Sequence, residues 1–310
     1  MISLVKIAAG LLLDAIAGDP QGFPHPVRAI GRMISALERV LLKTRHKKIA
    51  GVFLVVIVIA VTYAAALAVA SFSTALEILL IYMIFAARSL GVEADAVHRL
   101  LAAGKVDEAR VRIGFLVSRD TAGLDEQSII RAAVETVAEN TVDAVIAPLM
   151  YLFIGGAPLG MAYKAGNTLD SMVGYKNEKY ADFGWAGARL DDLLNFIPAR
   201  ITGFLLVPLA ALLCGKSARG SLRIVIRDRL NHASPNAGHG EAAVAGALGI
   251  RLGGANSYFG KITDKPTIGD ASRELRLGDI PDSIRLMRVA TILGFALGAG
   301  VVLLIRYGFS

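Results

Sequence analysis

An uncharged apolar run fills residues 49–70, IAGVFLVVIVIAVTYAAALAVA. A helix rises about 1.5 Å per residue, so a run of this length can cross a bilayer core of about 30 Å. Ser71, Ser73 and Thr74 interrupt the run, and a second apolar stretch follows at 75–87. We therefore predict a hairpin of two membrane helices with a tight connection.

The rest of the composition also indicates a membrane protein. The 310 residues are 55% hydrophobic, above the roughly 45–50% of soluble domains. Further apolar segments lie near 2–18, 144–162, 196–214 and 287–307. Two of them are interrupted, 144–162 by Gly155-Gly156-Ala157-Pro158 and 196–214 by Pro198, Arg200 and Pro208. They are predicted to be broken or re-entrant, because free backbone groups at membrane depth need protein or water around them.

These segments predict the fold class and its orientation. We expect an all-α, multi-pass integral membrane protein, with 1–310 as a single domain and amphipathic helices on the cytoplasmic side. No strand is predicted, because no segment alternates between apolar and polar residues. The net charge of +7 is concentrated in basic clusters at 28–48 and 216–229, which mark cytoplasmic loops. A nucleic-acid partner is not predicted, since the aromatic–basic pattern of RNA-binding surfaces is absent. A single cysteine, Cys214, excludes an intramolecular disulfide.

Three polar segments, 118–143, 164–195 and 231–258, lie among the apolar runs. Charged groups beside membrane segments cost free energy and usually serve a site. In the first segment, Arg131, Glu135 and Glu139 are spaced four residues apart on a helix predicted from Asp125 to Asn140. That helix face is either an ion-paired solvent surface or part of a site, and the polar clusters at both helix ends favour a site.

The second segment concentrates carboxylates, amides and lysines. Asn167 and Asp170 share one helical face, and Arg189, Asp192 and Asn195 share another. Carboxylates are good Mg²⁺ ligands and lysines neutralise phosphate oxygens. For any one aspartate a helix cap or a surface ion pair is the more frequent role, but for the group we favour a site.

The third segment is a loop of small, turn-prone residues at 231–241, NHASPNAGHGE. Such residues let backbone N–H groups approach an anion closely. His232 and His239 lie in the same loop, but no third ligand follows nearby, so a zinc site is not predicted.

A series of motifs connects these segments in order between residues 10 and 280. They are Gly18-Asp19-Pro20, His25-Pro26-Val27-Arg28, Ser118-Arg119-Asp120-Thr121, Glu139-Asn140 with Asp143, Asn167-Thr168-Leu169-Asp170-Ser171, Ala188-Arg189-Leu190-Asp191-Asp192 with Asn195, Ser234-Pro235-Asn236-Ala237-Gly238 with Glu241, and Gly253-Gly254 with Asn256. Together they resemble the CobD/CbiB family, the adenosylcobinamide-phosphate synthases of cobalamin biosynthesis. One departure is His239, where the family pattern leads us to expect an aromatic residue, often Trp.

The resemblance implies a multi-pass enzyme of the inner (cytoplasmic) membrane. It would join (R)-1-amino-2-propanol O-phosphate to the propionate carboxylate of adenosylcobyric acid, a corrinoid, to form an amide with consumption of ATP. ATP and Mg²⁺ are the expected cofactors, and the active site is expected on the cytoplasmic side, where ATP is. Alternatives are a non-catalytic membrane sensor or accessory subunit and a Mg²⁺-dependent membrane transferase. A homo-oligomer and an association with other cobalamin-assembly enzymes stay open.

This chemistry assigns hypothetical roles to the motif residues. Activating a carboxylate with ATP requires charge neutralisation of the phosphates, and the attacking amine requires a base. The predicted metal ligands are Asp143, Asp170, Asp191 and Asp192. The predicted catalytic residues are Arg119, Asp120, Glu135 and Glu139, with the two glutamates as alternative bases. The predicted substrate- or phosphate-binding residues are Asn140, Asn167, Lys176, Arg189, Asn195, Arg200, Ser234, Asn236, Glu241 and Asn256.

Overall fold

A computed structural model describes residues 3–19, 22, 25–175, 177–258 and 260–308 of the chain. The helices are α1 (Leu4–Ala17), α2 (Pro26–Leu41), α3 (Lys47–Phe72), α4 (Thr74–Ile84), α5 (Ala87–Ala102), α6 (Val106–Ile113), α7 (Glu126–Asn140), α8 (Ala147–Val173), α9 (Trp185–Leu194), α10 (Phe196–Ile201), α11 (Val207–Leu213), α12 (Ala218–Asp228), α13 (Ala237–Leu248) and α14 (Asp279–Tyr307). Wider π-helical turns at Thr141–Ile146 and Thr202–Leu206 connect α7 to α8 and α10 to α11. Two strands, β1 (Leu252–Tyr258) and β2 (Lys261–Ile268), complete the described structure.

The chain forms two compact units. The first unit comprises Met1–Ala86, Ala147–Phe196 and Leu297–Ser310, and the second comprises Ala87–Ile146 and Ile197–Ala296. The expectation of one domain over 1–310 stays a prediction.

Among the described residues, five helical segments are long and apolar enough to cross a membrane. They are Lys47–Phe72, Thr74–Ala102, Glu126–Val173, Phe196–Leu213 and Asp279–Tyr307. Helix α3 has many exposed apolar side chains, such as Val52, Phe53 and Val56, and a surface of that kind suits lipid. The predicted membrane character is thereby supported, while the re-entrant segments and the cytoplasmic amphipathic helices stay predictions.

Helix α8 is broken where the sequence places glycines. Gly155 and Gly156 have non-helical backbone angles, and the φ of Gly156 is +65°, in the left-handed region that glycine adopts at low cost. Pro158 follows and has no N–H to donate into the preceding turn. The predicted break within 144–162 is therefore confirmed.

The second unit contains a short sheet that the sequence did not predict. Strands β1 and β2 pair antiparallel, with Asn256 opposite Thr263, and the register is irregular between Leu252 and Gly254. The all-α prediction is wrong at this point. Residues 252–258, LGGANSY, show no alternation, and the hairpin is stabilised by contacts with the distant residues Asp120 and Glu135.

The core of the second unit brings α7 against α13. Every residue of α13 is buried. A Cβ atom on Gly240 would lie 2.6 Å from the Ala138 carbonyl oxygen, so the missing side chain lets the two helices approach closely. This contact brings Glu241 of α13 to the cavity that Glu135 and Glu139 of α7 also line.

Candidate functional site

A cavity of about 420 Å³ lies in the second unit, within the size range of small-molecule sites. It is bounded by the segment before α7, by α7 and α13, by the loop before α13 and by β2. Its polar lining consists of Ser118, Arg119, Glu135, Thr136, Glu139, Asn140, Asn231, His232, Glu241, Thr263, Asp264 and Lys265. The structure thus brings together five predicted site residues, Arg119, Glu135, Glu139, Asn140 and Glu241, from two of the three polar segments.

A buried ion pair between Arg119 and Glu135 anchors one side of this cavity. Both side chains are only 8% exposed. Arg119 also donates to the Asn256 carboxamide oxygen, and the other carboxylate oxygen of Glu135 accepts the Gly253 N–H at 2.8 Å. With its two oxygens engaged in this way, Glu135 connects α7 to the hairpin. The predicted role of Glu135 as a base is not tested by these contacts and stays a hypothesis.

The four-residue spacing on α7 does not mark a solvent face. Glu135 is buried, Glu139 is half-buried, and both line the cavity. Arg131, the third member of the series, donates instead to the Ala255 carbonyl oxygen at 3.3 Å. The interpretation as an ion-paired solvent surface is therefore wrong, because α13 and the hairpin cover this part of the helix.

Glu139 and Glu241 differ from Glu135 in their surroundings. Among the described residues, no donor lies within hydrogen-bond distance of either carboxylate, although Glu241 is only 6% exposed. The nearest basic group to Glu241 is the imidazole of His232, with 3.9 Å between Nε2 and Oε1. Burial, with added repulsion from Glu135 and Glu139, raises the pKa of Glu241 well above its usual value.

Sequence reasoning left seven polar residues of this cavity unassigned, and two of them, His232 and Lys265, interact with Glu241. Nδ1 of His232 accepts the backbone N–H of Ser234 at 3.0 Å, so the ring proton of the neutral imidazole is on Nε2. Burial lowers the pKa of His232, which favours this neutral form. The position of His232 two residues before Ser234 was a usable signal, whereas Lys265 lies on a strand that nothing in the sequence indicated.

Asp120 and Asn140 make local contacts. The Asp120 carboxylate accepts the Ser257 hydroxyl at 2.6 Å and the Gly260 N–H at 2.8 Å, which anchors the end of the hairpin. Asn140 donates to the Thr136 carbonyl oxygen at 2.9 Å. The catalytic role of Asp120 stays a prediction.

A second polar group of the same unit surrounds the start of α13. The Ser234 hydroxyl accepts the N–H groups of Asn236 and Ala237, and Arg200 donates to the Asn236 carboxamide oxygen at 3.2 Å. His239 is 1% exposed and meets the Phe204 ring edge-on at 6.0 Å. Burial, with the nearby charge of Arg200, lowers the pKa of His239 to about 4. The predicted binding residues Arg200, Ser234 and Asn236 are thus close together.

In the first unit the carboxylate of Asp191 is held by two amides. Asn167 donates to one oxygen at 3.2 Å and Asn195 to the other at 3.1 Å. The buried Asn195 in turn accepts the Tyr163 hydroxyl at 2.8 Å, and Tyr163 stacks on Tyr151 at 5.0 Å between ring centroids. The motifs of α8 and α9 are therefore joined by one network that orients Asp191.

Further predicted metal ligands and phosphate-binding residues of this unit lie close to the Asp191 network along the chain. Arg189 lies 3.5 Å from Asp192 on α9, and Asp170 is half-buried near the end of α8. Asp143 belongs to the second unit, in the π-helical turn after α7. Lys176 lies outside the described residues.

Whether the first unit can hold Mg²⁺ depends on the oxygen ligands that it offers. Among the described residues, no three His, Cys, Asp or Glu side chains come together as a metal cage. Mg²⁺ does not need one, because it is commonly held by one or two carboxylates together with water and substrate phosphates. The amides of Asn167 and Asn195 hold Asp191 in a fixed orientation, which is the arrangement such a carboxylate ligand requires.

Comparison with known proteins identifies the family. Residues 7–287 match the family described as CobD/Cbib protein. The chain is 51% identical to the cobalamin biosynthesis protein CobD of Citrobacter koseri, over 92% of this chain and 93% of the relative. It is 45% identical to CobD of Clostridium perfringens, over 98% of both chains, and 50% identical to CbiB of Salmonella typhimurium, over 92% and 93%. No solved structure matches. The order and content of its motifs and these long alignments show that the chain belongs to the CobD/CbiB family.

Proposed function

We propose that this protein is an ATP-dependent amide ligase of the cell membrane. It joins the amino group of (R)-1-amino-2-propanol O-phosphate to the propionate carboxylate of adenosylcobyric acid and yields adenosylcobinamide phosphate. Family membership supports the coarser part of this proposal, a biosynthetic role in the cobalamin pathway, since the similar proteins bear that name.

The observation that carries the ligase proposal is the fixed carboxylate of Asp191. Its two amide donors, Asn167 and Asn195, come from different motifs of the resemblance, so the fold assembles these motifs around one acidic group. An oriented carboxylate near a second acid, Asp192, and a guanidinium, Arg189, suits a nucleotide phosphate with its metal ion.

The reaction needs an activated carboxylate. The propionate oxygen attacks the γ-phosphorus of ATP, the bond to the bridging oxygen breaks, and ADP leaves an acyl phosphate. Asp191, with Asp170 or Asp192 as a second ligand, would hold Mg²⁺ together with water and substrate phosphates, and the ion would neutralise phosphate charge. Arg189 and Lys176 are assigned to the phosphate oxygens, as cations that stabilise the charge developing during transfer.

The second half of the reaction forms the amide. The ammonium group of the amine substrate loses a proton to a base, the neutral nitrogen attacks the acyl carbon, and inorganic phosphate leaves. Both oxygens of the predicted base Glu135 are already engaged by Arg119 and Gly253, so the base is sought among the cavity carboxylates without such bonds, the predicted base Glu139 among them.

A reconstituted assay tests the proposal. Purified protein in detergent receives adenosylcobyric acid, aminopropanol phosphate, ATP and Mg²⁺, and mass spectrometry measures adenosylcobinamide phosphate. We expect ATP-dependent product from the unchanged protein and from Asp182→Asn, whose side chain lies on the surface near Lys48. Asp170→Asn and Asp192→Asn should lower the rate at least about a hundredfold.

Two other outcomes would contradict the ligase. Corrinoid binding without product in any condition would indicate a non-catalytic accessory protein. Product that requires Mg²⁺ and a phosphorylated lipid, but no ATP, would indicate a transferase.

A further inference from the structure

We propose that the cavity of the second unit binds the primary ammonium group of the amine substrate, with Glu241 as its carboxylate partner and His232 as the residue that positions Glu241. This inference rests on the proposed function for the identity of the amine. It rests on the structure for the choice of the cavity and of its residues.

The first reason is that the Glu241 carboxylate accepts no hydrogen bond from the described residues, its contact with His232 being 3.9 Å long. It is 94% buried and lines the cavity, yet no donor among the described residues reaches its carboxylate. The half-buried Glu139 lines the same cavity and also accepts no hydrogen bond from the described residues. A buried carboxylate without a hydrogen bond is costly, so a ligand that donates to it gains binding free energy from relieving that cost.

The second reason is the charge of the cavity. Its lining holds four acids, Glu135, Glu139, Glu241 and Asp264, against two cations, Arg119 and Lys265. Arg119 is already neutralised by Glu135. The remaining excess of acidic over basic groups disfavours a polyphosphate, and a bound cation would favour the ionised form of these acids.

The third reason separates an ammonium group from a metal ion. His232, the nearest candidate ligand to Glu241, uses its Nδ1 lone pair for the Ser234 N–H and carries its proton on the nitrogen that faces Glu241. That nitrogen can donate to a carboxylate but has no lone pair for a metal.

The same geometry provides a path for the proton. When the ammonium becomes the neutral nucleophile, its N–H bond breaks and an O–H bond forms at Glu241. The groups that face Glu241 are Glu135 and Glu139 of α7, Lys265 of β2, Arg119 and His232. The acids and the burial make this carboxylate a better proton acceptor than an exposed one, which fits the task. The proton then leaves to water through the cavity opening.

Direct binding tests the inference without ATP and without a corrinoid. Isothermal titration calorimetry of the full chain in detergent compares aminopropanol phosphate with isopropyl phosphate, which lacks only the amine. We expect the amine to improve binding at least about tenfold, and Glu241→Gln to remove this improvement. Glu126→Gln, an exposed change on α7, is the matched control and should keep it. Equal binding of the two esters, or an improvement retained in a folded Glu241→Gln protein, would overturn the inference.

A second measurement separates this inference from the proposed ligase. Carbodiimide labels buried protonated carboxylates, and peptide mass spectrometry locates the label. Plain 1-amino-2-propanol should protect Glu241, and 2-propanol should not, whether or not the protein forms the amide. Protection by Mg²⁺ in place of the amine would overturn the inference in favour of a metal site. Active ligase without amine protection would overturn the inference alone, and protection in an inactive protein would contradict only the proposed ligase.

Discussion

At the scale of the residue, the Arg119–Glu135 pair is the most consequential contact of the second unit. Both side chains are only 8% exposed, so water could not solvate either charge if its partner were removed. Removing one member of a buried pair leaves an uncompensated charge and costs about 3–5 kcal/mol. The same change would release Asn256 and loosen the hairpin.

We therefore expect Arg119→Ala to lower the free energy of unfolding by about 3–5 kcal/mol. Thermal unfolding in detergent, followed by circular dichroism, measures the effect. Arg223→Ala is the control, because Arg223 forms a surface pair with Asp270 whose loss should cost at most about 1 kcal/mol. Similar losses in the two variants would contradict the buried role of Arg119.

His239 makes a separate prediction about acid sensitivity. Its pKa is lowered from 6.5 to about 4 in the folded chain, so the unfolded chain binds a proton more readily. The stability that depends on the neutral imidazole is complete above pH 6.5 and declines as the pH falls towards about 4. The decline is up to about 3 kcal/mol for a shift of this size.

His239→Phe tests that sign while retaining an aromatic ring against Phe204. Unfolding midpoints of both proteins, measured from pH 6.5 down to about 4, should diverge, with the variant losing less stability in acid. Parallel curves would show that His239 does not titrate with unfolding.

At the scale of the element, the hairpin depends on one glycine. Gly253 has a φ of +79° and lies so close to the Pro266 carbonyl oxygen that a Cβ atom would collide with it. Its N–H also donates to Glu135. The strand therefore accepts no side chain here without moving away from α7.

Gly253→Ala should destabilise the protein clearly more than Gly260→Ala and reduce amine binding. Gly260 has a similar φ of +75° but open space around it. Its substitution should therefore cost only the backbone strain of about 1–2 kcal/mol, without a steric clash. Unfolding and calorimetric titration of both variants measure the difference. Equal effects would mean that the contact with Pro266 is unimportant.

Element boundaries were partly predictable from local sequence. Asp125 caps α7 by accepting the Ser128 N–H, and α7 ends at Asn140, as its sequence pattern indicates. Between α5 and α6, Gly104 has a φ of +72°, which glycine adopts at low cost, so this boundary also reflects local sequence. The hairpin was missed because its stabilising contacts come from Asp120 and Glu135, more than a hundred residues away along the chain.

At the scale of the whole molecule, the orientation in the membrane is the main prediction. The proposed use of cytosolic ATP predicts that the polar segment 164–195 lies on the cytoplasmic side. We expect a cysteine at Glu178, placed in a Cys214→Ser background, to be inaccessible to an impermeant thiol reagent in intact cells and accessible after lysis. Arg45→Cys, in a basic cluster, is the reference for the cytoplasmic side. Labelling of Glu178→Cys from outside only would rule out the cytoplasmic placement.

The sequence alone determined the membrane character and the family. A long uncharged apolar run such as 49–70 predicts a helix in the membrane core. The ordered motifs identify the family without any coordinates. It also placed the Gly155-Gly156 break, because glycine and proline act on the local backbone.

Only the tertiary structure decided which polar residues face one another. It paired Glu135 with Arg119, left Glu139 and Glu241 facing a cavity, and added His232 and Lys265 to its lining. These outcomes depend on how α13 and the hairpin pack against α7. Residues far apart in the chain meet only through that packing. The packing then decides whether a buried carboxylate is hydrogen-bonded within the protein, like Glu135, or faces the cavity without a hydrogen bond, like Glu241.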